Sequence, residues 1–325
     1  MSIISNCTAT AIKDAAAALI KGDLVALPTE TVYGLGADAT NKDAIERIYK
    51  VKGRPADHPL IVHISSLANL DKWARDIPEY AIELARTFWP GPMTLILPRT
   101  DIAKDFVTGG QDNVGIRVPS HIVALELLKV FESLGGLGVA APSANRFGAV
   151  SPTTARAVVI ELVDFLSESD QILDGGDCLI GVESTIINCT QDKPSILRPG
   201  AITKEMIENT LGITIDLNAS NSESNRIKAA GLLESHYAPN AKVILNNYPS
   251  KGDGFIAMAS IPTPHGSIRL ASPTNLEEFA HILYSALRKA DSMQINKVYV
   301  TPPVGNGLAL AIVDRLTKAS TKNIN

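Results

Sequence analysis

The chain has 325 residues, 45% of them hydrophobic and 20% charged, and a formal net charge of -4. That length and composition suit two domains with buried cores and exclude wholesale disorder. Mild acidity excludes a surface coated with cations for non-specific nucleic-acid binding, so an RNA contact would have to be local.

The first residues lack a basic stretch followed by a continuous apolar core. They read as a short lead-in and an amphipathic helix, not as a signal peptide, and no apolar run is long enough to span a bilayer. A cytoplasmic location with no membrane partner is therefore expected. Cys7, Cys178 and Cys189 are scattered and form no C-x-x-C. They support neither a disulfide scaffold nor a cysteine zinc site, and fit thiols in a reducing compartment.

Short apolar strands alternate with helical stretches along the whole chain. Residues 24–27 read as a strand. Residues 41–52 read as a helix: Ile45, Ile48 and Tyr49 share one face, Thr40 or Asn41 can cap its start, and Gly53 suits its end. Residues 60–64 read as a strand and 80–88 as a helix broken by Trp89-Pro90-Gly91-Pro92. Strands follow over 93–97 and 114–118, then a helix over 121–134 and a strand over 137–141. Ser151-Pro152 has the chemistry of a cap and first turn for a helix reaching residue 166. Strands over 185–188 and 195–198 and a helix over 203–210 close this region. After Leu217 the stretch NASNSESNR is polar, as a linker is. Strands over 242–245, 255–259, 267–270 and 297–300 and helices over 275–292 and 307–319 then make a second, smaller α/β unit. The expected domains are 1–212, a linker or lid over 213–240, and 241–325.

Several strand ends carry polar side chains, the position where open α/β sheets bind ligands. PTETVYGLGAD (28–38) places three small polar residues and two glycines after a strand, without a P-loop or G-x-G-x-x-G pattern; it reads either as a turn or as a ligand loop. Arg47, Lys50, Lys52 and Arg54 cluster at a helix end. Helical spacing puts Arg47, Lys50 and Arg54 on one face, with Lys52 elsewhere unless Gly53 unwinds the end. The cluster suits either the helix dipole or a polyphosphate. His63 lies in an apolar strand, as a satisfied core histidine or a ligand. Arg117 also lies in one, and burial there demands a carboxylate from the protein or from a substrate. PSAN (142–145), Ser151, GVEST (181–185) and LRPG (197–200) add hydroxyls, amides and an arginine at further strand ends. G-x-S-x-G, H-E-x-x-H and EF-hand patterns are absent, so neither a nucleophile elbow nor a metal site is expected. A lone G-x-G at Gly305 to Gly307 is a weak sign of a nucleotide loop.

In order, PTETVYGLG, KGRPADHPLIVHI, WPGPMTLIL, GIRVPSH, APSAN, ESTI and LRPG resemble the YrdC-like threonylcarbamoyl-AMP synthases through Gly200, with Lys52-Gly53-Arg54 and Ser143-Ala144-Asn145 matching the family's K-x-R and S-x-N signature. GLLESHYAP (231–239) and the C-terminal region resemble the linker and second domain of the longer, two-domain form. The resemblance implies a twisted mixed α/β sheet around a concave central cavity, plus a small Rossmann-like α/β domain. It implies synthesis of L-threonylcarbamoyladenylate from L-threonine, bicarbonate and ATP with loss of pyrophosphate, the first step of threonylcarbamoyladenosine formation beside the tRNA anticodon. Thr31, His63, Arg117 and Ser184, with the Ala141 backbone, would hold threonine, and Arg117 would meet its carboxylate. Lys52, Arg54, His58, Asn113, Ser143, Asn145, Ser151 and Arg198 would surround ATP, with Tyr237 of the linker covering it. Lys52 and Arg54 would be the catalytic cations, and Lys50 a solvated charge. Magnesium would ride on the substrate phosphates. A downstream threonylcarbamoyl transferase is the implied partner, with direct tRNA contact left open. Competing readings are a carbamoyl-adenylate carbamoyltransferase, whose paired C-x-x-C motifs this chain lacks, and a double-stranded RNA-binding module without turnover.

Overall fold

The computed structural model describes residues 4–217, 227 and 237–321. Strands apolar on both faces set the architecture. Leu24 and Ala26 enter one core while Val25 and Leu27 enter another, as alternation along an extended chain requires.

The chain opens with β1 (Ile4–Asn6), α1 (Ala9–Lys21), β2 (Val25–Leu27), β3 (Gly34–Asp38) and α2 (Lys42–Lys52). Next come β4 (Ile61–His63), α3 (Leu70–Trp73), α4 (Glu79–Phe88), β5 (Met93–Pro98) and α5 (Asp105–Thr108). β6 (Asn113–Arg117), α6 (Ile122–Ser133), β7 (Val139–Ala140) and α7 (Ala155–Leu162) follow. β8 (Gln171–Asp174), β9 (Thr185–Asn188), β10 (Ser195–Arg198), α8 (Lys204–Leu211) and β11 (Asp216–Leu217) complete the first body. Its strands form one mixed sheet in the order β1-β8-β2-β3-β7-β4-β6-β5-β9-β10-β11. α1 and α6 pack together over one face, around Val25, Leu27, Val139 and Leu173.

The second body holds β12 (Lys242–Leu245), β13 (Gly254–Ile256), β14 (Ile268–Ala271), α9 (Leu276–Ser292), β15 (Lys297–Val300) and α10 (Leu308–Thr321). Its sheet is parallel throughout, in the order β12-β15-β13-β14. Val32, Val150 and Val182 of the first body join its apolar cluster with Tyr237, Phe279, Tyr284 and Ile312. The two bodies thus share buried surface.

Three expectations fail for physical reasons. The stretch 28–38 is only partly a loop, because Gly34–Asp38 pairs with both β2 and β7. Ser151-Pro152 does not open a helix: Thr154 caps α7 by accepting from the Ala157 amide at 3.1 Å, while the Ser151 hydroxyl turns inward to Glu183. The shared face of Arg47, Lys50 and Arg54 does not form either. Arg47 is drawn away to the buried Asp170 carboxylate at 2.7 Å and to the Gly22 carbonyl, and the helix stops before Arg54.

That stop is a Schellman turn. The Arg54 amide donates to the Tyr49 carbonyl and the Gly53 amide to Lys50, with Gly53 left-handed at φ 62. A Cβ on Gly53 would stand 2.8 Å from the Arg146 guanidinium. Gly53→Ala is therefore expected to lower stability by about 1–2 kcal/mol through the left-handed backbone alone, read as a reduced denaturant midpoint at constant m-value.

Candidate active site

Parallel pairing of β4 with β6 sets His63 directly beside Arg117. Around them Thr31, Arg54, Ala141, Ser143, Ser184, Arg198 and Tyr237 line one pocket, together with Glu183. Nine of the residues expected to touch substrate therefore converge. Lys52, His58, Asn113, Asn145 and Ser151 do not line it. Asn113 opens β6, four strand residues and about 13 Å from Arg117. The His58 ring packs edge-on against Phe147, with centroids 5.5 Å apart.

Lys52 sits behind the pocket wall. Only 2% exposed, it donates to the Ser143 carbonyl at 2.5 Å and the Asn145 carbonyl at 2.6 Å. It therefore bolts the PSAN loop to α2. Burial first, and then the Arg54 charge, hold its ammonium well below the usual lysine range. Arg54 lies on the other side of the Gly53 turn. Its Nη2 donates to the Pro59 carbonyl at 3.0 Å, its guanidinium lies 5.9 Å from the Phe147 ring centroid, and its buried Nε makes no hydrogen bond. Asn145 Oδ1 and His63 Nδ1 are likewise buried without a hydrogen-bond partner. Buried polar atoms are normally satisfied, and Arg54 and His63 carry theirs in the pocket lining.

The carboxylate that a buried Arg117 demands comes from the protein. Glu30 meets its Nη2 at 2.6 Å, Thr31 Oγ1 accepts from its Nη1 at 3.0 Å, and the Gly91 carbonyl accepts from its Nε. Of the two sources of carboxylate that the sequence left open, the protein supplies one. Glu30 also accepts the Ser120 amide, which makes the ion pair rigid. The threonine hydroxyls Thr29 and Thr31 share a 2.8 Å hydrogen bond on this wall.

The opposite wall hangs on Glu183. One oxygen accepts from Ser151 Oγ at 2.6 Å; the other accepts from Arg315 Nε at 2.8 Å and Tyr284 OH at 2.9 Å. Burial pushes this carboxyl up, but the Arg315 and Arg198 charges outweigh it and bring it down to about 2. Arg198 donates from Nε and Nη2 to the Ser184 carbonyl, and Ser184 Oγ shares a 2.8 Å bond with Thr94. Tyr237, 1% exposed, closes the pocket and stacks on Tyr284 at 5.9 Å. Glu30, Glu183, Tyr284 and Arg315 were not singled out from sequence. The first two stand inside motifs that were, and a buried arginine next to an acid-bearing loop was the available signal for Glu30.

No cluster of three or more His, Cys, Asp or Glu able to hold a metal occurs among the described residues. Glu183, the carboxylate in the pocket lining, and Glu30 behind Arg117 are both engaged by arginines.

The fold and site define a class: a mixed α/β sheet whose strand ends gather buried arginines and hydroxyls around one pocket. The family model described as "Telomere recombination", covering Sua5, YciO and YrdC, matches residues 17–200, and that of the threonylcarbamoyl-AMP synthase C-terminal domain matches 202–321. The chain is 40% identical to the threonylcarbamoyl-AMP synthase of Pyrococcus abyssi over 95% of its own length and 94% of the relative's. It is also 40% identical to that of Bacillus subtilis, over 95% and 92%. The crystal structure of P. abyssi Sua5 complexed with L-threonine superposes with a TM-score of 0.86 at 39% identity, covering 98% of this chain and 97% of that one. The chain belongs to the two-domain threonylcarbamoyl-AMP synthase family.

His63 supplies a pH signature. Burial and the neighbouring Arg117 lower its pKa from 6.5 to about 3, so it is neutral at pH 7. The unfolded chain takes up this proton first, so stability is whole above pH 6.5 and falls as pH drops toward 3, by up to about 1.4 kcal/mol per pH unit. Comparing wild type with His63→Gln by denaturant unfolding from pH 7 to pH 4.5 is expected to show a shallower loss in the variant.

Proposed function

We propose that the chain condenses L-threonine, bicarbonate or carbon dioxide, and ATP into L-threonylcarbamoyladenylate and pyrophosphate, supplying the first step of threonylcarbamoyladenosine formation in tRNA. The observation that carries this reading is one pocket lined by Thr31, His63, Arg117 and Ala141 together with Arg54, Ser143 and Arg198. We assign the first four to one wall and the last three to another. The first suits an amino acid, with hydroxyl and imidazole partners near a guanidinium. The second suits phosphates, with guanidiniums and a turn of backbone amides. Ser184 stands between them.

Arg54, Arg117 and Arg198 are each less than a tenth exposed. They are therefore not a surface track for an RNA backbone, which weakens the RNA-binding reading.

In the proposed reaction a carbamate formed on the threonine amine attacks the α-phosphate, and pyrophosphate leaves. Positioning and charge neutralisation carry the acceleration. Arg54 and Arg198 meet the phosphates, and Lys52 acts chiefly by holding the Ser143-Asn145 loop, with one ammonium proton left to donate. Neutral His63 donates or accepts a hydrogen bond without adding charge. Magnesium enters with the triphosphate as part of the substrate, since Glu183 and Glu30 are both paired with arginines.

Tyr237 lines the pocket and is 1% exposed, so in this reading ATP entry goes with movement of the wall it forms. Tyr237 is the proposed moving piece, as part of a lid within 213–240, most of which lies outside the described residues. Domain limits of 1–212 and 241–325 flank it. A dry, closed pocket shields the carbamate and the mixed anhydride from hydrolysis. No helix among the described residues is long and apolar enough to cross a membrane, and the cytoplasm, with a threonylcarbamoyl transferase downstream and tRNA reached through it or directly, is the proposed setting.

Pyrophosphate release by the purified chain with ATP, bicarbonate and single amino acids is expected to require bicarbonate and to prefer threonine. Release indifferent to both would refute the reading. Arg54→Ala is expected to lower kcat/KM by at least about tenfold, the scale of a lost phosphate contact; near-normal turnover would remove Arg54 from the site.

A further inference from the structure

We infer that Arg315, on the last helix of the second body, is a positioning residue for the nucleotide wall: it fixes Ser151 and the Arg198 turn through Glu183 without touching substrate. This deepens the synthase reading and rests on it.

Arg315 is fully buried. Besides its bond to the Glu183 carboxylate, its Nη1 donates to the Pro199 carbonyl at 3.0 Å, the residue after Arg198, and its guanidinium lies 5.4 Å from the Tyr237 ring centroid. Asp314 orients it at 2.6 Å, and Lys318 in turn pairs with Asp314. Glu183 is held on both oxygens: Oε1 by Ser151 and Oε2 by Arg315, with Tyr284 OH within 3.2 Å of each. Three residues assigned to ATP, namely Ser151, Arg198 and Tyr237, therefore converge on one ion pair whose cation belongs to the second body.

The threonine wall is built differently. Glu30 holds Arg117 and the Ser120 amide, and Arg117 holds Thr31. Each of these bonds lies within the first body. The two walls are thus anchored by separate ion pairs, and only one of them crosses between the bodies.

Adhesion alone does not call for this arrangement. The bodies already share an apolar cluster, and Arg288 meets Glu161 at 2.8 Å elsewhere on the contact. A buried ion pair is a poor glue, because desolvation offsets its attraction and apolar side chains of similar volume adhere as well. What it does provide is a fixed direction for the carboxylate, and here that carboxylate itself lines the pocket next to Ser184 and Arg198, with Ser151 held behind it.

The test uses the full chain, with pyrophosphate release titrated against ATP at saturating threonine and against threonine at saturating ATP, alongside melting temperature. Arg315→Met is expected to raise the KM for ATP about tenfold while the KM for threonine stays within about twofold, with Arg315→Lys recovering part of the loss. In a Glu183→Gln background, Arg315→Met is expected to add little, since the two act as one unit. Tyr284→Phe removes a single hydroxyl, so it keeps the test open if Arg315→Met does not fold; about a threefold rise for ATP alone is expected. Unchanged KM values well below the melting temperature, or equal rises for both substrates, overturn the inference. A wild-type chain without threonine-dependent turnover overturns the synthase reading and this one together, whereas an active wild type with no split overturns this one alone.

Discussion

Positive charge withdrawn from water dictates how this pocket is built. Lys52, Arg54, Arg117 and Arg198 are all buried, and each such cation costs several kcal/mol unless the protein answers it. The answers are unequal. Arg117 receives a full carboxylate from Glu30, while Lys52 receives two carbonyls, Arg54 one carbonyl and a ring face, and Arg198 the carbonyl and hydroxyl of Ser184 among its partners. Glu183 is nearby but already matched by Arg315. Lys52 and Arg54 are therefore answered by neutral groups only among the contacts described. Burial holds Lys52, Arg54 and Arg198 below their ordinary pKa values, which is the same cost seen from the proton's side. In the proposed reaction a polyphosphate would relieve part of that cost.

The fold serves this by geometry. Parallel strands β4 and β6 end at the same level, which puts a histidine and an arginine side by side. The glycine after β10 packs so closely that a Cβ would stand 2.4 Å from the Thr185 amide. That close approach brings the Arg198 turn against the Glu183-Ser184-Thr185 stretch. Neither wall depends on a long flexible side chain finding its place alone.

Much of this was legible in the sequence, for a physical reason. α2 announces itself by its apolar spacing, its Asn41 cap and its Gly53 stop, all local signals, and they hold to within a residue. Strand-end motifs were readable because ligands collect where strands end. What was not legible is pairing at long range. Nothing in a helix reading DRL tells that its arginine will meet a glutamate 132 positions earlier. Local signals also competed. Ser151-Pro152 has the chemistry of a helix start, but the Ser151 hydroxyl found a buried carboxylate and Thr154 took the cap. Arg47 shared helical spacing with Lys50, yet Asp170, already held by the Leu24 and Ser167 amides, outbid the shared face.

The Gly53 turn has one more consequence. A single left-handed residue separates two cations that differ by two positions, and sends one inward as a bolt and the other to the cavity. Lysine, a compact donor with three protons, suits a pair of carbonyls; arginine, planar and forked, suits phosphate oxygens. Exchanging the two side chains would leave length, composition and net charge untouched. It would still put the fork where only a point fits and the point where a fork is needed. The information in this stretch is therefore carried by the order of its charges around a hinge of fixed hand, and a tally of those charges is blind to it.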